Sequence, residues 1–215
     1  LLVNNTPPLL LGSNLRADHS ALFVDLTNRD IISGQHLVLE RDSVHILRTV
    51  FLWRGTAYQR LRVHNYGERA VDLRLSFLFE NDFSDLFEVR GTHRERRGTA
   101  TAKLHGNDEV VLSYRGLDAK LRCTALTFDP PPQQLTIGSA IYALRIDPGQ
   151  MQPVFVAVSC DPAQSRPPPF LRGLIAARRE LRDTARDRTS VETSNTRFNE
   201  MLCRSDADLS ILMPD

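Results

Sequence analysis

Aromatic residues are scarce in this chain, with one tryptophan and four tyrosines among 215 residues. A sandwich that holds sugar faces on an open platform needs several exposed indole and phenol rings, so a stacking surface of that kind is disfavoured. Cysteines are few and widely spaced. Cys123, Cys160 and Cys203 form an odd set with no CxxC pair, which argues against a disulfide framework and a zinc knuckle and points to reduced thiols in a cytoplasm. No apolar run approaches the ~20 residues that span a bilayer. Nor does a basic stretch with a small-residue cleavage site open the chain, so the sequence reads as that of a soluble protein. An excess of one charge is also missing. Lysine and arginine number 27 against 26 aspartates and glutamates, a net charge of +1, which argues against a general nucleic-acid or anionic-membrane binder.

The motifs of common chemistries are absent as well. His19, His36, His45, His64, His93 and His105 show neither HxH nor HExxH spacing, and no GxSxG elbow, P-loop or GxGxxG is present. Asp82, Asp85 and Glu88 recur every third residue with Phe83, Leu86 and Phe87 between them. An EF-hand needs oxygen ligands at alternate positions and a glycine at the sixth, so that reading is rejected. No metal, cofactor or nucleophile is expected from these patterns.

What is present is alternation of period two from about residue 20 to 160. In AVDLRLSFLFEND, Val71, Leu73, Leu75, Phe77 and Phe79 fall on one face and Asp72, Arg74, Ser76 and Glu80 on the other. That is a strand with one buried side, and Leu78 alone breaks it, suggesting partial cover on the second face. Similar runs occupy 21–28, 35–42, 43–53, 58–65, 99–105, 109–115, 120–128, 140–146 and 153–160. Turn formers recur between them, as in NYGE at 65–68, HGND at 105–108 and DPGQ at 147–150. Connections this short favour antiparallel neighbours. No helix-length segment intervenes, which disfavours parallel α/β folds. The expected fold is all-β, an antiparallel two-sheet sandwich over residues 1–160, followed by C-terminal helices. A chain of this length buries about 70% of its unfolded surface and needs no staple.

Near residue 161 the texture changes to the proline-rich DPAQSRPPPF, then to LRGLIAARRELRDTARD, where Leu171, Leu174, Ile175, Arg178, Leu181 and Ala185 mark a helical stripe. A second helix is expected after SVETSN, with Ser194 and Asn195 as N-cap candidates and Phe198, Met201, Leu202, Leu209 and Leu212 as its apolar stripe. That stripe needs a partner to cover it. Trp53, at the end of a strand run, is expected to cap the core or face a neighbouring element.

The most concentrated chemistry is FLFENDFSDLFEVRGTHRERRG at 77–98. It sets Glu80, Asp82, Asp85, Glu88 and Glu95 beside Arg90, Arg94, Arg96 and Arg97. Clustered acids can bind a cation, share acid and base duties, or fix a loop through ion pairs. Pairing with neighbouring arginines is the commonest of these.

Three stretches together carry a family resemblance: PPLLLGSNLRADHSALFVDLTN, RTVFLWRGTAYQRLRVHNYGERAVDLRLSFLFENDFSDLFEVRGTHRERRG and SNTRFNEMLCRSDADLSIL. They resemble the N-terminal region of bacterial amylo-α-1,6-glucosidase, or glycogen-debranching-like, proteins, and DFSDLFEVRG is the most specific part. The resemblance implies a supersandwich-like β domain at 1–160 and a linker with a helix at 161–194. From 195 to 215 it implies the start of an (α/α)6 barrel, cut short here. It further implies that the catalytic acids lie beyond Asp215, and that an earlier strand with an Asp-Thr-Arg sequence precedes Leu1. The implied partners are the barrel in cis and the α-glucan substrate of the parent enzyme, with no nucleic acid and no membrane; a homo-oligomer is an added expectation. Asp82, Asp85, Glu88, Arg90 and Arg94 become domain-interface candidates on a loop and short strand at the sandwich edge, and Phe198, Met201 and Leu202 are further candidates, expected to pack inside the barrel. The segment itself is expected to be inactive, with no catalytic residue, no metal and no cofactor; the alternatives are a stand-alone carbohydrate-binding module or a self-associating structural β-sandwich.

Overall fold

Alternating burial governs the architecture of the chain. The computed structural model describes residues 1–160, 166–186 and 191–212. In chain order the strands are β1 (Leu2–Val3), β2 (Leu9–Leu15), β3 (Leu22–Thr27), β4 (Ile31–Ser33), β5 (His36–Leu39), β6 (Val44–Trp53), β7 (Thr56–Asn65), β8 (Val71–Leu78), β9 (Thr99–His105), β10 (Glu109–Arg115), β11 (Leu121–Asp129), β12 (Gln134–Leu135), β13 (Ser139–Ile146) and β14 (Met151–Ser159). The helices are α1 (Leu86–Val89), α2 (Phe170–Arg186) and α3 (Thr196–Leu212).

Eight strands form one sheet in the order β2-β3-β6-β7-β14-β11-β10-β9, and four form a second in the order β1-β8-β13-β12. β4 and β5 make a separate hairpin. The pairings are antiparallel throughout. The core lies between the sheets. Leu73, Leu75, Tyr142, Leu144 and Ile146 from the smaller sheet meet Val44, Ile46, Leu61, Val63, Val110, Leu126, Phe128 and Val154 from the larger. Burial of each such aliphatic side chain stabilises the fold by roughly 1.5–3 kcal/mol before conformational entropy is charged against it.

The strand at 71–79 behaves as its alternation requires. Leu73 and Leu75 are buried, and Val71, Phe77 and Phe79 pack against the core from its margin. Its second face differs from expectation, because Ser76 is the covered residue and Leu78 points to solvent. Two strands near the start, β1 and β2, were not legible in the sequence. β2 is an edge strand in which Leu10 and Leu11 are both exposed, so it shows no alternation.

On the outer face of the large sheet, odd-numbered Phe51 and Trp53 of β6 and even-numbered Tyr58 of β7 form a second apolar cluster, onto which α2 packs. The buried stripe of α2 is Phe170, Gly173 and Ala177, with Leu174 half-buried. This corrects the expected phase: Leu171, Ile175, Arg178 and Leu181 are exposed. The physical reason is close approach. Phe51 and Tyr58 stack with ring centroids 4.7 Å apart, and a flat ring surface admits small residues better than leucines. A Cβ on Gly173 would come within 3.1 Å of the Tyr58 ring. Trp53 faces this helix and donates from Nε1 to Glu180 at 2.7 Å.

Asn195 caps α3, its Oδ1 accepting the Phe198 amide at 3.2 Å. Of the expected stripe positions, the side chains of Ala185 and Leu212 lie outside the described residues, as do residues 161–165 and 187–190 of the expected linker.

Candidate domain interface

The 79–98 segment leaves β8 and crosses the inner face of the large sheet where the four-stranded sheet does not reach. Phe79 and Phe83 turn inward onto the core. Phe83 stacks on Tyr114 of β10 with centroids 5.3 Å apart. It does so with a φ of 45°, a left-handed conformation that costs a non-glycine residue roughly 1–2 kcal/mol and is offset by the ring contact. On either side of it the carboxylates organise the backbone. Asp82 accepts from the Ser84 amide at 3.1 Å and its hydroxyl at 2.8 Å. Asp85 caps α1, accepting from the Phe87 and Glu88 amides at 2.9 Å each, while Glu88 accepts from the Asp85 amide at 3.0 Å. This reciprocal capping box satisfies donors that a helix start leaves unpaired.

The arginines close the loop from the return side. Arg97 donates to Glu88 at 2.8 Å and to Ser84 at 3.0 Å. Arg94 pairs with Asp85 and lies 3.9 Å from Glu88. Only 9% of the Glu88 side chain is exposed, so it forms the hub of the arrangement. Arg90 ends α1 and is exposed, with no ion pair to the block among the described residues. Gly98 then donates to the Tyr114 hydroxyl at 2.8 Å, and a Cβ there would collide with the Arg115 carbonyl.

A helical turn therefore stands where the family resemblance implies a short strand, because Asp85 and Glu88 at the first and fourth positions initiate a helix. The hydrogen bonds from Ser84 hold the Asp82 carboxyl below the usual aspartate range. Charge-assisted bonding to Glu88 raises the proton affinity of Arg97.

With the acids engaged inward, the apolar residues of α1 point out. Leu86, Phe87 and Val89 are 59%, 65% and 74% exposed. The outward trio is not evident from the charge pattern; the cap positions flanking it, Asp85 and Glu88, are the available signal.

Phe198, Met201 and Leu209 of α3 are also exposed, and Leu202 is half-buried. The structure does not bring them to the acidic loop. Asp208 of α3 pairs with His19 at 3.4 Å, in the β2–β3 turn, whereas the loop rests on β10, near the opposite end of the eight-stranded order. The candidate residues thus form two patches.

Beside the loop, a cavity of about 160 Å³ opens between the sheets, lined by Arg48, Gln59, Phe77, Phe79 and Phe128. Arg48 donates to Gln59 at 3.0 and 2.7 Å, and burial lowers its pKa. Among the described residues no histidine, cysteine or carboxylate group gathers as a metal site, and no helix is long and apolar enough to cross a membrane.

These features define a two-sheet antiparallel sandwich with a clamped loop over its inner face and a helix over its outer one. The chain belongs to the family described as the N-terminal domain of (some) glycogen debranching enzymes, which matches residues 1–157. Among solved structures, a candidate kojibiose phosphorylase from human microbiome aligns with a TM-score of 0.48 and 11% identity, over 90% of this chain and 24% of that one. A polysaccharide lyase aligns with a TM-score of 0.35 and 14% identity, over 63% of this chain and 21% of that one. A candidate aldose 1-epimerase from Escherichia coli K12 aligns at 0.32 and 9% identity, over 71% and 67%. The chain therefore spans about a quarter of the first of these structures. No curated protein matches the sequence.

Proposed function

We propose that the chain is a non-catalytic accessory domain of a glycogen-debranching-type glycoside hydrolase, of the amylo-α-1,6-glucosidase kind. In this reading it supports an (α/α)6 barrel in the same polypeptide and shapes the entrance through which an α-glucan reaches the barrel. The family match over residues 1–157 carries the reading. The chemistry of the loop supports it. Glycoside hydrolysis needs one carboxyl kept protonated by a raised pKa beside a second carboxylate. Asp82 is shifted the other way, and Asp85 and Glu88 are engaged in a cap and its arginine pairs.

The outward faces supply the docking surface. Leu86, Phe87 and Val89 form one knob, with Asp82, Asp85, Glu88, Arg90 and Arg94 in the frame around it. Leu171 and Ile175 on α2, and Phe198 and Met201 on α3, expose further apolar area, with Leu202 half-buried. We assign residues 1–160 to the sandwich, 161–194 to the link and 195 onward to the first element of the barrel. The cytoplasm suits the thiols of Cys160 and Cys203, which are exposed and unbonded.

The test is to incubate the 215-residue chain with a glycogen limit dextrin. No glucose is expected. Release of glucose by a clean preparation, abolished by Asp82→Asn or Asp85→Asn, would overturn the assignment.

A further inference from the structure

The outer sheet face beside the start of α2 carries two neighbouring arginines. One register row crosses Phe23, Thr49, Arg60 and Phe155, and the next crosses Asp25, Leu47, Arg62 and Pro153. Arg60 and Arg62 lie two residues apart on β7 and so point to the same side. The Nε atoms of both are buried without a hydrogen-bond partner. No ion pair joins either to a carboxylate among the described residues. Thr49, the direct cross-strand neighbour of Arg60, is 3% exposed, and its hydroxyl is also unpartnered.

Apart from Asp25, the two register rows hold no acidic residue across β3, β6, β7 and β14. The Arg60 guanidinium lies over the Phe170 ring, 5.3 Å from its centroid, beside a first turn of α2 that holds no acidic residue. Asp25 lies two strands from Arg62, across Leu47, and hydrogen-bonds His45 at 2.9 Å. Burial first, and then Arg62, lower the proton affinity of Arg60. Two guanidinium groups brought together and partly stripped of water are costly unless an anion completes them. Their planar forks match oxygens held on one centre.

We propose that Arg60, Arg62 and Thr49 form a binding site for a small oxyanion, held by the two guanidinium groups and the threonine hydroxyl. Phosphate and carboxylate share the required chemistry, and titration separates them. The proposal is independent of the domain assignment. The experiment is calorimetric titration of the 215-residue chain with inorganic phosphate and, separately, with acetate, at constant ionic strength. Saturable binding at one site is expected. Arg60→Gln and Arg62→Gln should each weaken it roughly tenfold, the loss of one charge-assisted contact. Arg62→Lys keeps the charge without the fork and should recover only part of the affinity, and Thr49→Val should lower it further. Arg145→Gln, at a remote exposed pair, should leave it unchanged. Saturation by acetate in preference to phosphate assigns the site to carboxylates. If neither anion saturates, or if binding survives unchanged in folded Arg62→Gln and Thr49→Val, the site does not exist.

Discussion

Asn65 is fully buried and yet has every side-chain group satisfied. Its amide donates to the Arg69 and Ile146 carbonyls at 2.7 and 2.9 Å, and its carbonyl accepts from Gly67 at 2.9 Å. One residue thereby ties the β7–β8 turn to the end of β13, linking the two sheets. Asn28 plays the same part for the β5–β6 connection, accepting from Val44 at 2.8 Å and donating to Glu40 at 2.6 Å. Asn65→Ala leaves backbone groups buried and unpaired, so a cost of about 2–4 kcal/mol is expected in urea unfolding. A cost below about 1 kcal/mol would mean that water replaces the side chain.

A second prediction at this scale concerns Asp118, whose carboxyl is held at about 2, below the ordinary 3.8, chiefly by hydrogen bonds from Arg122. The folded-state value is the lower one. Its contribution to stability is therefore present above pH 3.8 and is lost as pH falls toward 2. In an NMR titration Arg122→Gln should return the Asp118 midpoint toward 3.8; an unmoved midpoint contradicts the pairing.

At the scale of elements, α1 and α2 are each positioned by contacts that can be cut singly. Asp85→Ala removes the cap of α1 and should cost about 1 kcal/mol. The readout is faster hydrogen exchange over residues 86–98 with the strands unaffected; unchanged exchange there would show that the arginines alone hold the loop. Gly173→Ala presses a methyl group against the buried Tyr58 ring. It should lift α2 and shift the emission of Trp53, whose indole is bonded to that helix. An unaltered spectrum would place the helix further from the sheet.

These elements also show what the sequence makes visible. β6, β7 and β8 were legible because one face of each is buried and the other is polar or half-covered, the condition under which alternation reports on structure. β2 escaped because both its faces are largely exposed. α2 was recognised but turned through the wrong angle, since Gly173 and Ala177 do not register as apolar although they make the contact. In the acidic loop the residue types were evident from the sequence, but their directions were not. A capping box sends carboxylates toward the backbone and leaves Leu86, Phe87 and Val89 outside, an inversion of the usual order that composition alone cannot report.

For the whole molecule, the two sheets enclose the main core and α2 adds a second apolar cluster on the outer face. The sandwich closes its own core, whereas α1, α2 and α3 each leave large apolar side chains in water. Contiguous exposed apolar patches commonly mark interaction surfaces. We propose that a catalytic domain in the same polypeptide covers them. Hydrogen exchange with mass spectrometry, comparing the 215-residue chain with the polypeptide that carries it beside its catalytic domain, tests this most directly. Strong protection of residues 86–89 and 198–209 is expected in the larger protein, with the strands of the sandwich exchanging alike in both. Equal exchange of those two segments in the two proteins would contradict it.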